Sequence, residues 1–250
     1  MAGHNKWSKI KHRKAVVDKR RGKVWTKCSK LIMVAARHGG PDPASNLALR
    51  YAIDEARYAN MPRDTIERAI QKGVGAGAGE NFEPVRYEGY GPGGVAIVVD
   101  ALTDNRARTV GDLRLAFSNH GGSLGNSGCV AYLFQTKGRL LVQAPELDEN
   151  AMMELAIEIG ADDCQAPEDP REEPWMVLCA VSSFQSVKEA LERAGQSASR
   201  PNTVSIAEAQ IALVPTDTVE VSAETADALG SLLEDIEDLD DVQKVYTNAR

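Results

Sequence analysis

A chain of 250 residues, 43% hydrophobic and 26% charged, has the makeup of a globular protein with enough core for two or three domains. No apolar run approaches the roughly 20 residues of a membrane span, and the basic N-terminus lacks the apolar stretch of a secretory signal, which points to the cytoplasm. The net charge of −7 hides a polarity: residues 1–38 hold twelve Lys and Arg against one acid, Asp18, while the remainder holds 17 against 35 acids.

Clustered Lys and Arg displace the counterions condensed on a phosphate backbone, so this opening segment suits a polyanion. In residues 3–18, Lys6, Lys9, Lys11, Arg13 and Lys14 surround Trp7 with no helical period, as in an arm that orders on contact. Trp7 is a candidate for stacking on a base. From about Lys19 to Arg37, Val24, Cys28, Leu31, Ile32 and Ala35 share one helical face. Lys23, Lys27, Lys30 and Arg37 form a second stripe beside it, which with Lys19 and Arg20 is expected to meet phosphates.

Gly39-Gly40 ends this helix, and Asp42 offers an N-cap with Pro43 at the first helical position. A second helix continues through Leu47, Tyr51 and Ala56, and Asn60-Met61-Pro62 restarts a third that carries Arg63, Ile66, Ala69 and Ile70 and closes at Gly73. The basic arm and three-helix domain therefore span residues 1–73. The glycine run Gly73–Gly79 follows a helix and precedes Glu80-Asn81, a context that fits neither a dinucleotide fingerprint nor a P-loop, and residues 74–80 read as a linker.

Beyond the linker the pattern is α/β. Strands are expected at Val95–Ala101, Cys129–Phe134, Ala209–Val214 and Val242–Thr247, with helices at Arg106–His120 and Ala223–Leu239. Residues 137–205 repeat the rhythm with strands at Arg139–Gln143, Asp162–Gln165, Trp175–Ala180 and Thr203–Ile206 and helices at Asn150–Ile159 and Phe184–Ala194. The fold class is thus α+β and multidomain: a helical N-terminal domain, then two ferredoxin-like α/β domains, one inserted into the other. The outer one comprises residues 81–136 plus 206–250 and the inserted one 137–205.

Two glycine-rich loops, Tyr87–Gly94 and Asn119–Gly128, carry turn-forming residues. Their exposed amides, with Tyr90, Asn126 and Ser127, would make a contact surface for RNA or protein. Asp104, Arg106 and His120 are the one grouping suggestive of acid–base chemistry, but nucleophile, base and orienter cannot all be named, so no catalytic residues are assigned. Asp104 fits an N-cap, and His120 a residue capping a helix end. Cys28, Cys129, Cys164 and Cys179 are scattered without a C-x-x-C pair, which argues for reduced thiols and against a metal site. No cofactor, membrane partner or small-molecule substrate is implied. The acidic run Glu234–Asp241 reads as the wet side of a helix end that would repel nucleic acid.

The blocks MAGHNKWSKIKHRKAVVDKRRGKVWTK, NMPRDTIERAI, YEGYGPGGVAIVVDALTDNRART and GNSGCVAYLF resemble the signature blocks of the YebC family, nearly end to end. The resemblance implies bacterial transcriptional regulation, or translational activation as in mitochondrial relatives, without enzymatic activity. It also implies a helical N-terminal domain followed by two α/β domains, and by its motif blocks it draws attention to Lys6, Trp7, Lys9, Lys11, Arg13, Lys19 and Arg20, and then to Met61, Pro62 and Arg63. Ribosomal RNA and duplex DNA both present phosphates to a basic arm, so both stay open as targets, with the ribosome slightly preferred.

Overall fold

The computed structural model describes residues 17–75, 82–196 and 204–250. The arm residues Lys6, Trp7, Lys9, Lys11, Arg13 and Lys14, and most of the glycine-rich linker, lie outside these. The chain divides into two compact units, one running up to Phe134 and resuming at Pro215–Arg250, the other Gln135–Val214.

The first unit opens with three helices, α1 (Val17–Gly39), α2 (Leu47–Tyr58) and α3 (Arg63–Val74). Cys28, Ile32 and Ala36 of α1 pack with Leu49, Ile53 and Ala56 of α2 and with Ile66 and Ala69 of α3. Val24, expected on this face, is exposed, and Ala36 takes a place in the core instead. The α1–α2 joint turns on Asn46 rather than Asp42. Asn46 Oδ1 accepts from Leu49 N at 3.0 Å, while its Nδ2 donates to Ala35 O and Gly40 O at 2.8 and 2.9 Å. Asp42 organises only the preceding turn, accepting from Ala44 N. One amide side chain thereby satisfies orphan groups at the end of one helix and the start of the next. Gly73 is the last-but-one residue of α3, in the turn that closes the helix, and a Cβ there would sit 2.6 Å from Met33 O of α1. Glycine at this position lets two helix backbones touch.

The first sheet contains β1 (Glu83–Tyr90), β2 (Ala96–Thr103), β3 (Ser123–Leu124) and β8 (Val242–Thr247) in the order β3-β1-β2-β8, all neighbours antiparallel. Helices α4 (Arg106–Asn119) and α7 (Ala223–Asp238) bury Leu113, Phe117, Leu229, Leu232, Leu233 and Ile236 against Val95, Ile97, Val99 and Val242. Strand β1 was hidden in the sequence by Gly89 and the glycines that follow it, Gly91, Gly93 and Gly94. Of the expected strand Cys129–Phe134 only Phe134 is extended, as the first residue of the next strand, while Cys129–Val130 is a bend and Ala131–Leu133 a single 3-10 turn. Asn105, not Asp104, caps α4, accepting from Arg108 N at 3.1 Å.

The second unit holds β4 (Phe134–Gln143), α5 (Glu149–Glu158), β5 (Asp163–Gln165), β6 (Trp175–Cys179), α6 (Phe184–Gln196) and β7 (Ser205–Pro215). Strand order β5-β6-β4-β7 with this βαββαβ succession is the ferredoxin-like arrangement. Ala209–Val214, expected in the first sheet, and the expected strand at Thr203–Ile206 fall in the single strand β7, apart from Thr203 (outside the described residues) and Val204. Leu133 O accepts from Thr216 N at 2.9 Å, so the first unit's chain leaves and returns at adjacent points.

Candidate nucleic-acid interface

Helix α1 runs past the C-terminal end of α7, and its lysines reach the last carbonyls of that helix and the turn after it. Lys27 Nζ donates to Glu237 O at 2.7 Å, Lys30 Nζ to Asp240 O at 2.8 Å, and Lys23 Nζ lies 3.1 Å from Asp238 Oδ1. The final carbonyls of any helix lack intrahelical donors and gather negative potential, and cations are favoured there by about 0.3–1 kcal/mol each. The acidic residues around this end add to that potential. The stripe expected to face phosphates therefore docks on the protein's own acidic run, and that run is a docking surface rather than merely a wet one.

Asp241 anchors the same contact. It is 7% exposed, and its Oδ2 accepts from Arg108 Nη2 and Thr109 Oγ1 at 2.9 Å each and from Thr103 Oγ1 at 3.2 Å. Its Oδ1 lies 3.5 Å from Lys30 Nζ, and the Lys30 ammonium also stands 4.9 Å from the centre of the Phe82 ring. Burial pushes the Asp241 carboxyl up, but the Arg108 and Thr109 hydrogen bonds win and hold it below the ordinary aspartate range. A second tie joins Lys244 of β8 to Glu55 of α2 at 2.9 Å. Between helices and sheet a polar cleft of about 980 Å³ remains, lined by Lys23, Lys30, Lys72, Arg108 and the aspartates at 238, 240 and 241.

The other expected basic residues are placed as follows. Lys19 and Arg20 lie in the first turns of α1, and Arg37 in its last turn. Arg63 begins α3 and pairs with Glu67 at 2.7 Å while staying exposed.

The two glycine-rich loops are brought together by a residue that sequence reasoning passed over, Glu88. It sits on β1, 4% exposed, with Oε1 accepting from Gly128 N and Oε2 from Val130 N and Ala131 N, each at 2.8 Å. Its own carbonyl accepts from Gly125 N at 2.8 Å. Burial would raise the Glu88 carboxyl, but the three amide donors overcome it and lower it from the ordinary glutamate value. Segment 125–131 is thus wound around a buried carboxylate. Asn126 and Ser127 stand exposed at its tip, and Tyr90 Oη donates to Cys129 O at 3.0 Å at its foot. The available signal was a Glu set between Tyr87 and Gly89, next to a glycine-rich loop.

Asp104, Arg106 and His120 do not converge. Arg106 pairs with Glu83, Asp104 with Arg108 at 2.8 Å, and His120 Nε2 with Asp235 at 2.7 Å. Arg106 and His120 stand at opposite ends of α4, about 20 Å apart by the helical rise. Among the described residues no group of three or more His, Cys, Asp or Glu is placed to hold a metal ion. Burial pushes the Cys28 thiol up to about 12 and the Cys164 thiol to about 11, well away from reactive thiolates. No helix among the described residues is long and apolar enough to cross a membrane.

Residues 5–76 match the family description "TACO1/YebC protein N-terminal domain", and residues 82–249 match "TACO1/YebC second and third domain". A protein of Burkholderia multivorans named "Probable transcriptional regulatory protein" is 50% identical over all of this chain and 98% of its own length. One of Burkholderia ambifaria with the same description is 49% identical over the same shares. A crystal structure of a conserved hypothetical protein from Aquifex aeolicus matches with a TM-score of 0.84 at 48% identity, covering 98% of this chain and 96% of that one. With its helical N-terminal part and two four-stranded sheets, the chain belongs to the TACO1/YebC family.

Proposed function

We propose that the protein is a non-enzymatic, nucleic-acid-binding regulator of gene expression that anchors on ribosomal RNA in the cytoplasm. The observation that carries this reading is the charge polarity: twelve Lys and Arg in residues 1–38 of an otherwise acidic chain. Because Lys23, Lys27 and Lys30 bond to the end of α7, phosphate contact falls first to Lys6, Lys9, Lys11, Arg13, Lys14, Lys19 and Arg20, with Trp7 among them and Arg37 and Arg63 flanking. The rigid loop bearing Tyr90, Asn126 and Ser127 acts after anchoring. RNA is favoured over duplex because a chain of separate compact units suits an irregular RNA surface better than a repeated groove. The reading requires no cofactor, metal or small-molecule substrate.

The second reading, duplex-DNA binding at promoters, is favoured by the relatives' printed name of transcriptional regulator. Sedimentation of lysate at near-physiological salt separates the two. The ribosomal reading expects co-migration with ribosomal particles that survives DNase and is lost when Lys9, Lys11, Arg13 and Lys14 become Ala. The promoter reading expects release by DNase and enrichment on particular promoter fragments of at least about 10³ over non-specific DNA. Absence from ribosomal fractions under these conditions defeats the first.

A further inference from the structure

We propose that the outer face of α5 in the second unit, centred on Met153 and Ile157, is a docking surface for a basic amphipathic segment of another protein. This surface is separate from the basic one, and the inference holds whichever nucleic acid the N-terminal arm meets.

Helix α5 buries Met152, Leu155 and Ala156 on its inner face, so the core does not draw on the outer one. On that outer face Ile157 is 75% exposed, the highest value for any large hydrophobic among the described residues, and Met153 is 43% exposed. Four positions apart, the two form one ridge, about 40° apart around the helix axis. An exposed Ile does little for the helix itself, because its branched side chain loses freedom there without burial in return. The other helix of this unit, α6, has Ser186, Glu189, Glu192 and Arg193 at its exposed positions. An apolar ridge where its companion is polar marks a contact surface, and the unbranched Met153 can adapt to a partner.

Charge chooses the partner. Glu149 lies about 40° to one side of Met153, and Glu154 and Glu158 lie about 60° and 100° beyond Ile157 on the other. All three are exposed, and among the described residues none is held by a hydrogen bond or ion pair. Asp148 and Asp162, by contrast, are engaged within the chain, by Ala151 N and by Lys137. The wider setting has the same sign: residues 140–170 hold nine acids and no Lys, Arg or His. Such a surface repels phosphate, which disfavours RNA, DNA and anionic lipid headgroups alike. Two copies of the face would bring like charges together. What fits is a segment with apolar residues for the ridge and Lys or Arg on both sides for the glutamates, as an amphipathic helix provides.

The test uses the full chain and a short labelled helical peptide of Leu and Lys whose leucines line one face, at near-physiological salt. A peptide of the same residues with its leucines scattered should bind at least about ten-fold more weakly. Ile157→Glu decides the matter. It adds an acid, which attraction by charge alone would favour, yet it should weaken binding about ten- to hundred-fold by removing the apolar seat. Glu154→Gln combined with Glu158→Gln should weaken binding and flatten its salt dependence. All three positions are exposed, so these variants should keep the wild-type melting temperature. Unchanged or tighter binding by Ile157→Glu overturns the proposal, as does failure of the wild type to bind the aligned peptide. If replacing Lys9, Lys11, Arg13 and Lys14 by Ala raises peptide affinity about ten-fold, the chain's own basic residues are the occupant and a separate partner is overturned. A wild-type dimer that Ile157→Glu converts to monomer in sedimentation overturns it in favour of a second copy. Loss of RNA binding by Ile157→Glu overturns it in favour of nucleic acid.

Discussion

Lys27 Nζ donates to the carbonyl oxygen of Glu237 at 2.7 Å, joining residues 210 positions apart. Lys27 is partly buried and its acceptor is a terminal carbonyl of α7, so the bond is charge-assisted and shielded in part from salt. Truncating Lys27 to Ala should cost about 1.5–3 kcal/mol, the range for hydrogen bonds to charged groups. Urea unfolding should show a lower midpoint with an unchanged slope. An unchanged midpoint would mean that α1 and α7 do not meet in solution as described.

Glu88 gives a prediction in pH. Its carboxyl is lowered in the folded state, so its contribution is complete above the ordinary glutamate range and is lost as pH falls through that range and below it. Glu88→Gln should therefore destabilise the protein by about 1–3 kcal/mol at neutral pH. The gap from wild type should narrow in acid, as pH falls below the ordinary glutamate range and the native carboxylate itself takes up a proton. Denaturant unfolding at neutral and acid pH checks this, and a gap that widened in acid would contradict the assigned charge state.

Two helical glycines should respond to alanine with opposite signs. At Gly111 in α4 a Cβ meets nothing within 4 Å, so Gly111→Ala should stabilise by about 0.5–1 kcal/mol through helix propensity. At Gly73 the same gain is overruled by the 2.6 Å approach to Met33 O, a backbone atom that cannot step aside without moving a helix. A net loss of about 1–3 kcal/mol is expected, as for other overpacked cores. Thermal melts of the two variants give the answer directly.

The regular elements were legible in the sequence because periodicity reports burial, and burial shaped α1, β2, α4, α7 and β8. Their observed bounds fall within about two residues of those expected. Pairings between elements were not legible. Taken alone, the lysine stripe of α1 reads as a phosphate-facing surface and the acids from Glu234 onward as a solvated one, and only the tertiary arrangement brings Lys23, Lys27 and Lys30 onto that acidic end. Strand β1 escaped because Gly89 serves a close approach, where a Cβ would lie 2.6 Å from Ser123 O, and not a turn. The role of Glu88 escaped for a related reason. A lone glutamate in a strand carries no mark of the amides that will surround it.

The division of labour among the basic residues yields the last prediction. Each phosphate contact adds about 0.9 to the slope of log affinity against log salt for duplex DNA, and about 0.7 for single strands. Replacing Lys9, Lys11, Arg13 and Lys14 by Ala should therefore flatten the slope by up to about three to four units on that rule. The same number of charges cannot be removed so cleanly from α1, where Lys23, Lys27 and Lys30 already neutralise the end of α7. Changing those three to Gln should leave the slope within about one unit of wild type while lowering the unfolding midpoint. Binding isotherms over a series of salt concentrations, run beside urea unfolding, separate the two sets. If the α1 variant flattens the slope by as much as the arm variant and keeps its stability, the lysines serve the nucleic acid and not α7. If the arm variant keeps the full slope, residues 9–14 are not the phosphate contacts and the anchoring surface lies elsewhere.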